Sequence, residues 1–245
     1  MIGDFRERIF ARLIGSKDHR HIGWAPGHPF ASIIRNPLGP GRPICVVPTE
    51  AANVYRAYQQ YVDALTGGPR HVAATAQMAS IKHASHIGLH PFASQACKQW
   101  PDESWQSLAA ELQSRGVRLT AYGAPTERER LELIFGGLAQ PIEFVTRPVV
   151  EFAQHVASLD LLVGLDSFSV HVAERAGVPS IMLNAANHPS LWVPPGGRSV
   201  SSSGGCSHYP CLNSPKCEGR ALEYACIRSL KTEQVLSVLN FLPKR

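Results

Sequence analysis

A chain of 245 residues, 44% hydrophobic and 18% charged, has room for one large or two small domains and is too apolar for a disordered polypeptide. The formal charge of +5 and a sequence pI near 9.0 suit an anionic ligand or an anionic membrane surface, and are too weak and dispersed to argue for nucleic acid. No apolar run approaches the roughly 20 residues that span a bilayer, and the opening MIGDFRERIFARLIG lacks the uninterrupted core of a signal peptide, so a cytoplasmic protein is expected.

Near the start, Phe5, Ile9 and Leu13, with Phe10 and Ile14 beside them, form a helical apolar stripe flanked by Arg6, Arg8 and Arg12. Such a stripe either docks on its own domain, the commoner use, or rests peripherally on the inner face of a membrane. A Gly/Pro/His-rich loop follows (HIGWAPGHPFASIIRNPLGPG), then a strand-like run from Ile44 to Val47 and a helix from about Ala51 to Leu65. Residues 1–66 hold too few elements to close a sheet by themselves. Gly67, Gly68 and Pro69 break the pattern, and residues 67–85 read as a linker.

From His86 the pattern becomes regular. His86 to His90 is a strand and Pro91 to Pro101 a loop. Asp102 to Ser114 is a helix with Trp105, Leu108, Ala109 and Leu112 on one face, stopped by Gly116. Val117 to Tyr122 is the next strand. Thr126 with Glu129 suggests a capping box opening a helix to about Phe135, Ile142 to Val145 is a strand, and Pro148 starts a helix at its first position.

Leu159 and Leu161 to Leu165 then make an apolar run fit for a strand buried on both faces, and Val170, Val172, Ala173 and Ala176 follow at helical spacing up to Gly177. Val178 to Leu183 is a second apolar run, so the whole is a βαβ unit with a parallel sheet. Residues 86–230 are therefore expected to form a doubly wound α/β domain, with a last helix, Thr232 to Leu242, inside a 231–245 tail. The only biased patch is the Ser/Gly run at 199–205.

Cys206, Cys211, Cys217 and Cys226 are separated by four, five and eight residues, which misses the paired C-x₂-C pattern of a zinc site. Reduced structural thiols are the preferred reading over a metal or disulfides, because a cytosol keeps thiols reduced. Cys45 and Cys97 read as incidental.

Three loops at one sheet edge hold candidate ligand groups, since ligands of open α/β sheets bind beyond the carboxyl ends of the strands. HPFASQACKQWP puts Ser94 and Lys98 where a hydroxyl and an ammonium meet phosphate oxygens; a mobile surface lysine is the alternative. YGAPTERE places Glu127 beside a helix start, as a ribose or base acceptor or as a plain first-turn acid. DSFSVH holds Asp166 and Ser167, as ligand groups or as helix caps, with His171 one turn further on as a ligand group or a core histidine.

HPFASQACKQWP, YGAPTERE and GLDSFSVHVAERAGVPSIMLNAANHPSLWVPPG, in this order and spacing, resemble the carboxyl-terminal domain of the ADP-heptose:lipopolysaccharide heptosyltransferases, glycosyltransferase family 9, over about residues 86 to 230. The resemblance implies a GT-B fold, with two Rossmann-like domains facing across a cleft, the first of them incomplete in this chain. It implies an inverting, metal-independent transfer with no cofactor, from an ADP-heptose-like nucleotide sugar to a lipopolysaccharide-core or related glycan acceptor.

Carried over by position, Ser94 and Lys98 hold the diphosphate, Glu127 the nucleoside, and Asp166, Ser167 and His171 the phosphate and sugar region. Lys98 takes the catalytic role of stabilising the leaving group, so Lys98→Ala is expected to lose turnover and keep its melting profile.

Two positions depart from the family. Phe92 and Phe168 stand where it usually has glycine, which allows close backbone approach to phosphate. They mark a subfamily with another donor or stack on its base or sugar. The family's acidic general base lies in early βα units that the chain is expected to lack, so no base is assigned, and a donor-binding module without transfer activity is the alternative reading.

Overall fold

The computed structural model describes residues 84–211 and 214–239, the segments His21–Trp24 and Pro43–Val47, and Asn53 and Tyr55. The chain divides into two compact units, residues 1–73 and 74–245. In the first, β1 (His21–Trp24) and β2 (Pro43–Val47) pair in parallel, with Ile22 opposite Cys45 and Trp24 opposite Val47. β2 lies where the strand-like run was expected. β1 corrects the reading of its segment as loop: four residues are too few to display a period, and the Pro/Gly-rich stretch that follows dominates any window around them. The amino-terminal apolar stripe, the linker up to residue 83 and, apart from Asn53 and Tyr55, the helix of residues 51–65 lie outside the described residues.

The second unit is built on a six-stranded, wholly parallel sheet in the order β5-β4-β3-β6-β7-β8. Its strands are β3 (His86–His90), β4 (Arg118–Tyr122), β5 (Glu143–Val145), β6 (Leu161–Leu165), β7 (Ser180–Asn184) and β8 (Gly197–Ser201). The connecting helices are α1 (Asp102–Ser114), α2 (Arg128–Phe135), α3 (Val149–Val156) and α4 (Phe168–Arg175); the short α5 (Ala225–Arg228) and α6 (Thr232–Val238) close the unit. This is the doubly wound α/β fold the sequence predicts.

Alternation along the strands separates two cores. Leu161, Val163 and Leu165 turn to the face covered by Trp105, Leu108, Leu131, Ile134 and Val235 of α1, α2 and α6. Leu162 and Met182 turn to the opposite face with Phe152, Val156, Val170 and Ala173 of α3 and α4. All five residues of β6 are buried, the pattern of a strand covered on both faces. Gly88 packs closely on the second face, where an added Cβ would press on the side chains of Leu159, Leu162 and Tyr122. Gly116 and Gly177 end their helices at φ +78° and +74°, a conformation open to glycine at little cost.

Four boundaries differ from expectation. β8 lies in the stretch read as a Ser/Gly-biased patch; only Val200 is buried there, and pairing along Ser180–Asn184 makes it a strand. α2 is not opened by a Thr126–Glu129 box. Glu127 Oε2 accepts the Ala124 N–H at 2.6 Å, and a 3₁₀ turn, Pro125–Glu127, leads into the helix. Pro148 sits at the N-cap of α3 rather than its first position. α6 ends at Val238 with Leu239 in a turn, short of the expected Leu242, and residues 240–242 lie outside the described residues.

Trp100 and Trp105 meet edge to face at 5.1 Å, and the Trp100 indole N–H donates to the Leu230 carbonyl at 2.9 Å, so the loop after β3 is tied to the carboxyl-terminal segment. Asp160 Oδ2 accepts from Ser85 N (2.8 Å), Ser85 Oγ (2.9 Å) and His86 N (2.9 Å), which pins the start of β3 beside the start of β6. Because Asp160 is exposed, Asp160→Ala is expected to cost only about 1 kcal/mol in a urea titration, and a loss under 0.3 kcal/mol would show the clamp to be idle.

Candidate functional site

The strand order reverses between β3 and β6, the place where a doubly wound sheet opens a crevice at its carboxyl edge. A cleft of about 790 Å³ lies there, walled by the segments that follow β3, β4, β5, β6 and, through Trp192, β7. Ser94, Lys98, Glu127, Asp166, Ser167, Phe168 and His171, the seven residues singled out from the sequence, all line it.

Asp166 follows β6 directly and its carboxylate is already engaged. Lys98 Nζ stands 2.9 Å from Asp166 Oδ2 and donates to the Asp166 carbonyl at 3.3 Å, with 12% and 6% of the two side chains exposed. The same Oδ2 accepts the Asn187 amide N–H. Lys98 is therefore not a mobile surface lysine, and Asp166 is not a helix cap. Ser167 holds the N-cap position of α4 in extended backbone, yet its side chain makes no cap bond and its Oγ lies 3.3 Å from Ser169 Oγ. The start of α4 thus faces the cleft without a side-chain cap, a polarity that favours an anion.

Glu127 has its structural use as well as its place in the cleft, because one carboxylate oxygen is spent on the Ala124 N–H. Ser94 is exposed on the loop after β3. His171 lies 6.5 Å from Trp192, centroid to centroid, and burial lowers its pKa despite the raising effect of Asp166.

The floor of the cleft is aromatic. His90, the last residue of β3, meets Phe92, Phe152 and Phe168 edge to face at 6.0, 5.9 and 5.5 Å, and Phe152 and Phe168 lie 5.2 Å apart. Burial lowers the His90 pKa to about 4, so the imidazole is neutral at ordinary pH, and its Nδ1 is buried without a hydrogen-bond partner. Phe92 is buried against this floor, whereas Phe168 keeps 48% of its surface exposed at the mouth of α4.

His90, Phe152, Asn187 and Trp192 were not singled out from the sequence. His90 was legible by the rule that selected Asp166, since both sit at the carboxyl edge of a central strand. Phe152 comes from a helix outside the quoted stretches, and Asn187 and Trp192 lie in the late part of the third stretch, where no role was assigned to them.

Cys97, Cys206, Cys217 and Cys226 are free thiols. Cys97 shares a small cavity with the late cysteines, so it is not incidental; burial, then the neighbouring thiols, pushes its pKa up, and that of Cys226 to about 11. Among the described residues no three His, Cys, Asp or Glu side chains form a set that holds a metal ion, and no helix is long and apolar enough to cross a membrane.

The family model of glycosyltransferase family 9 (heptosyltransferase) matches residues 50–222. Among solved structures, E. coli heptosyltransferase WaaC with ADP is similar at 18% identity and a TM-score of 0.57, over 90% of this chain and 64% of its own. E. coli ADP-heptose lps heptosyltransferase II is similar at 16% identity and 0.56, over 98% of this chain and 73% of its own. A family 9 glycosyl transferase from Veillonella parvula is 19% identical at 0.54, over 66% of this chain and 46% of its own. At such identities the likeness carries the fold, a Rossmann-like α/β domain of the GT-B heptosyltransferase kind. The chain spans 46% of the Veillonella protein and 64% of WaaC. No curated protein matches it.

Proposed function

The chain belongs to glycosyltransferase family 9, the heptosyltransferase family, and on that premise we propose that it is a transferase moving a heptose or related sugar from an ADP-activated donor to a lipopolysaccharide-core or related glycan acceptor. The observation that carries this reading is the cleft, where the Lys98 ammonium and the uncapped start of α4 meet at the reversal point of the sheet. A nucleotide sugar presents a diphosphate to such a corner. When its anomeric bond breaks, the leaving nucleoside diphosphate gathers negative charge, and the ammonium with the α4 N–H groups stabilises it without a divalent cation.

In the inverting reaction the acceptor hydroxyl attacks the anomeric carbon from the face opposite the leaving group, and its proton passes to a base on the acceptor side. Ser94 and Lys98 hold the diphosphate. Glu127 takes the ribose on its second oxygen, and Ser167 and His171 face the sugar. Phe168 offers its half-exposed ring as a stacking surface where the family usually has glycine. The reaction runs in the cytoplasm, at or near the inner membrane face.

A thermal-shift panel of ADP, UDP, GDP and dTDP tests the donor. A nucleotide at 100 times its Kd stabilises the fold by about 2.7 kcal/mol, and ADP is expected to give the largest shift. Preference for UDP or GDP overturns the ADP-heptose reading; no shift with any of the four overturns the nucleotide-sugar reading altogether.

A further inference from the structure

From Lys98 and Asp166 on the cleft wall, a buried polar chain reaches away from the ligand space. Asn184 Nδ2 donates to the Asn187 carbonyl at 2.8 Å, Asn187 Nδ2 donates to Asp166 Oδ2, and the same oxygen stands 2.9 Å from Lys98 Nζ. Asn184 and Asn187 are fully buried. From this geometry we infer that Asn187 is a positioning residue for the diphosphate end of the cleft, acting through Asp166 on the Lys98 ammonium.

The physical reason is a division of one acceptor between two donors. An ammonium has three N–H groups, and two of them go to Asp166, one to Oδ2 and one to its carbonyl. One remains for a ligand oxygen. Asp166 also brings a negative charge beside the place where a diphosphate must sit. Asn187 takes part of that charge onto its amide dipole, which weakens both the pull of Asp166 on Lys98 and its repulsion of the ligand. Without the amide, Oδ2 has only the ammonium to satisfy it, and the lysine is drawn back from the ligand. Asn184 orients the segment by holding the Asn187 carbonyl. A buried amide whose N–H ends on an ionised carboxylate is costly to leave unpaired, so the arrangement is held in one geometry.

This inference rests on the reading of the cleft as a nucleoside diphosphate site, and ADP and adenosine titrated by calorimetry test the two separately. The intact protein is expected to bind ADP more tightly than adenosine; equal affinities overturn the site reading and this inference with it. Given that preference, Asn187→Leu is expected to weaken ADP binding about 10-fold, the effect of one charge-assisted hydrogen bond, and to leave adenosine binding unchanged. In a cycle with Lys98→Ala, the Asn187→Leu loss is expected to shrink well below 10-fold once the ammonium is gone, leaving only the repulsion by Asp166. Equal losses for ADP and adenosine, no loss for ADP, or losses that multiply independently in the double variant each show Asn187 to be structural only and overturn the inference. If Asn187→Leu does not melt cooperatively, Asn187→Asp takes its place. It keeps the shape, adds a second carboxylate beside Asp166, and is expected to lose more than 10-fold for ADP by the same criterion.

Discussion

Lys98→Ala is expected to weaken ADP binding about 100-fold, because it deletes a charge-assisted contact to a phosphate oxygen at a site shielded from bulk water. Turnover of the sugar donor falls at least as far, since the developing charge of the leaving diphosphate is the quantity that ammonium stabilises. The expectation from sequence that melting stays unchanged does not survive the structure. Lys98 is nearly buried and is the ionic partner of an Asp166 that is only 6% exposed. Removing it leaves that carboxylate with the Asn187 N–H alone on Oδ2, at a cost of about 2 kcal/mol, less than for a deep pair because water enters the cleft. A double variant separates the two effects. Asp166→Asn added to Lys98→Ala should restore most of the lost stability, and of the lost ADP affinity only the smaller part due to repulsion by the uncompensated carboxylate. Unchanged ADP affinity in the single variant would remove Lys98 from the donor site.

The fold was legible wherever one period dominated a window. β6 stood out because all five of its residues are apolar, as a strand covered on both faces must be, and α1 because Trp105, Leu108, Ala109 and Leu112 recur at helical spacing; the structure buries those four helix residues. β1 and β8 were illegible for a shared reason. Neither carries its own pattern: β8 buries one side chain, Val200, and both exist because a neighbouring strand offers a ladder.

The site was legible as positions and not as connections. The rule that ligands gather beyond the carboxyl ends of strands brought Ser94, Lys98, Glu127 and Asp166 to one edge, and they line one cleft. The rule says nothing about partners. That Asp166 would bind Lys98 and Asn187, or that Glu127 would close its own turn, depends on side-chain directions that spacing does not encode. The departures at Phe92 and Phe168 were visible as residues, yet their joint role as walls around His90 needed Phe152 from α3, a contact between segments roughly 60 residues apart in the chain.

His90 is expected to make the protein acid-sensitive well above the usual carboxylate range. Its pKa falls from 6.5 to about 4, first through burial, with the nearby backbone of His90 and Phe92 opposing. Between those values the unfolded chain's imidazole binds a proton that the folded chain's refuses. The unfolded state therefore holds more protons, and stability drops as pH falls, by about 1.4 kcal/mol per unit and about 3 kcal/mol in all. Above pH 6.5 that contribution is fully present. His86 and His171 are shifted in the same direction, so the sign is shared and the magnitude must be isolated by difference. His90→Leu, of similar volume, keeps the aromatic floor packed and removes the titration. Urea unfolding at pH 7.5, 6.5, 5.5 and 5.0 should show the intact protein losing its advantage over the variant step by step below pH 6.5. A difference that stays constant across the four pH values would mean that the folded imidazole takes its proton as readily as the unfolded one, and that Phe92, Phe152 and Phe168 do not exclude water from it.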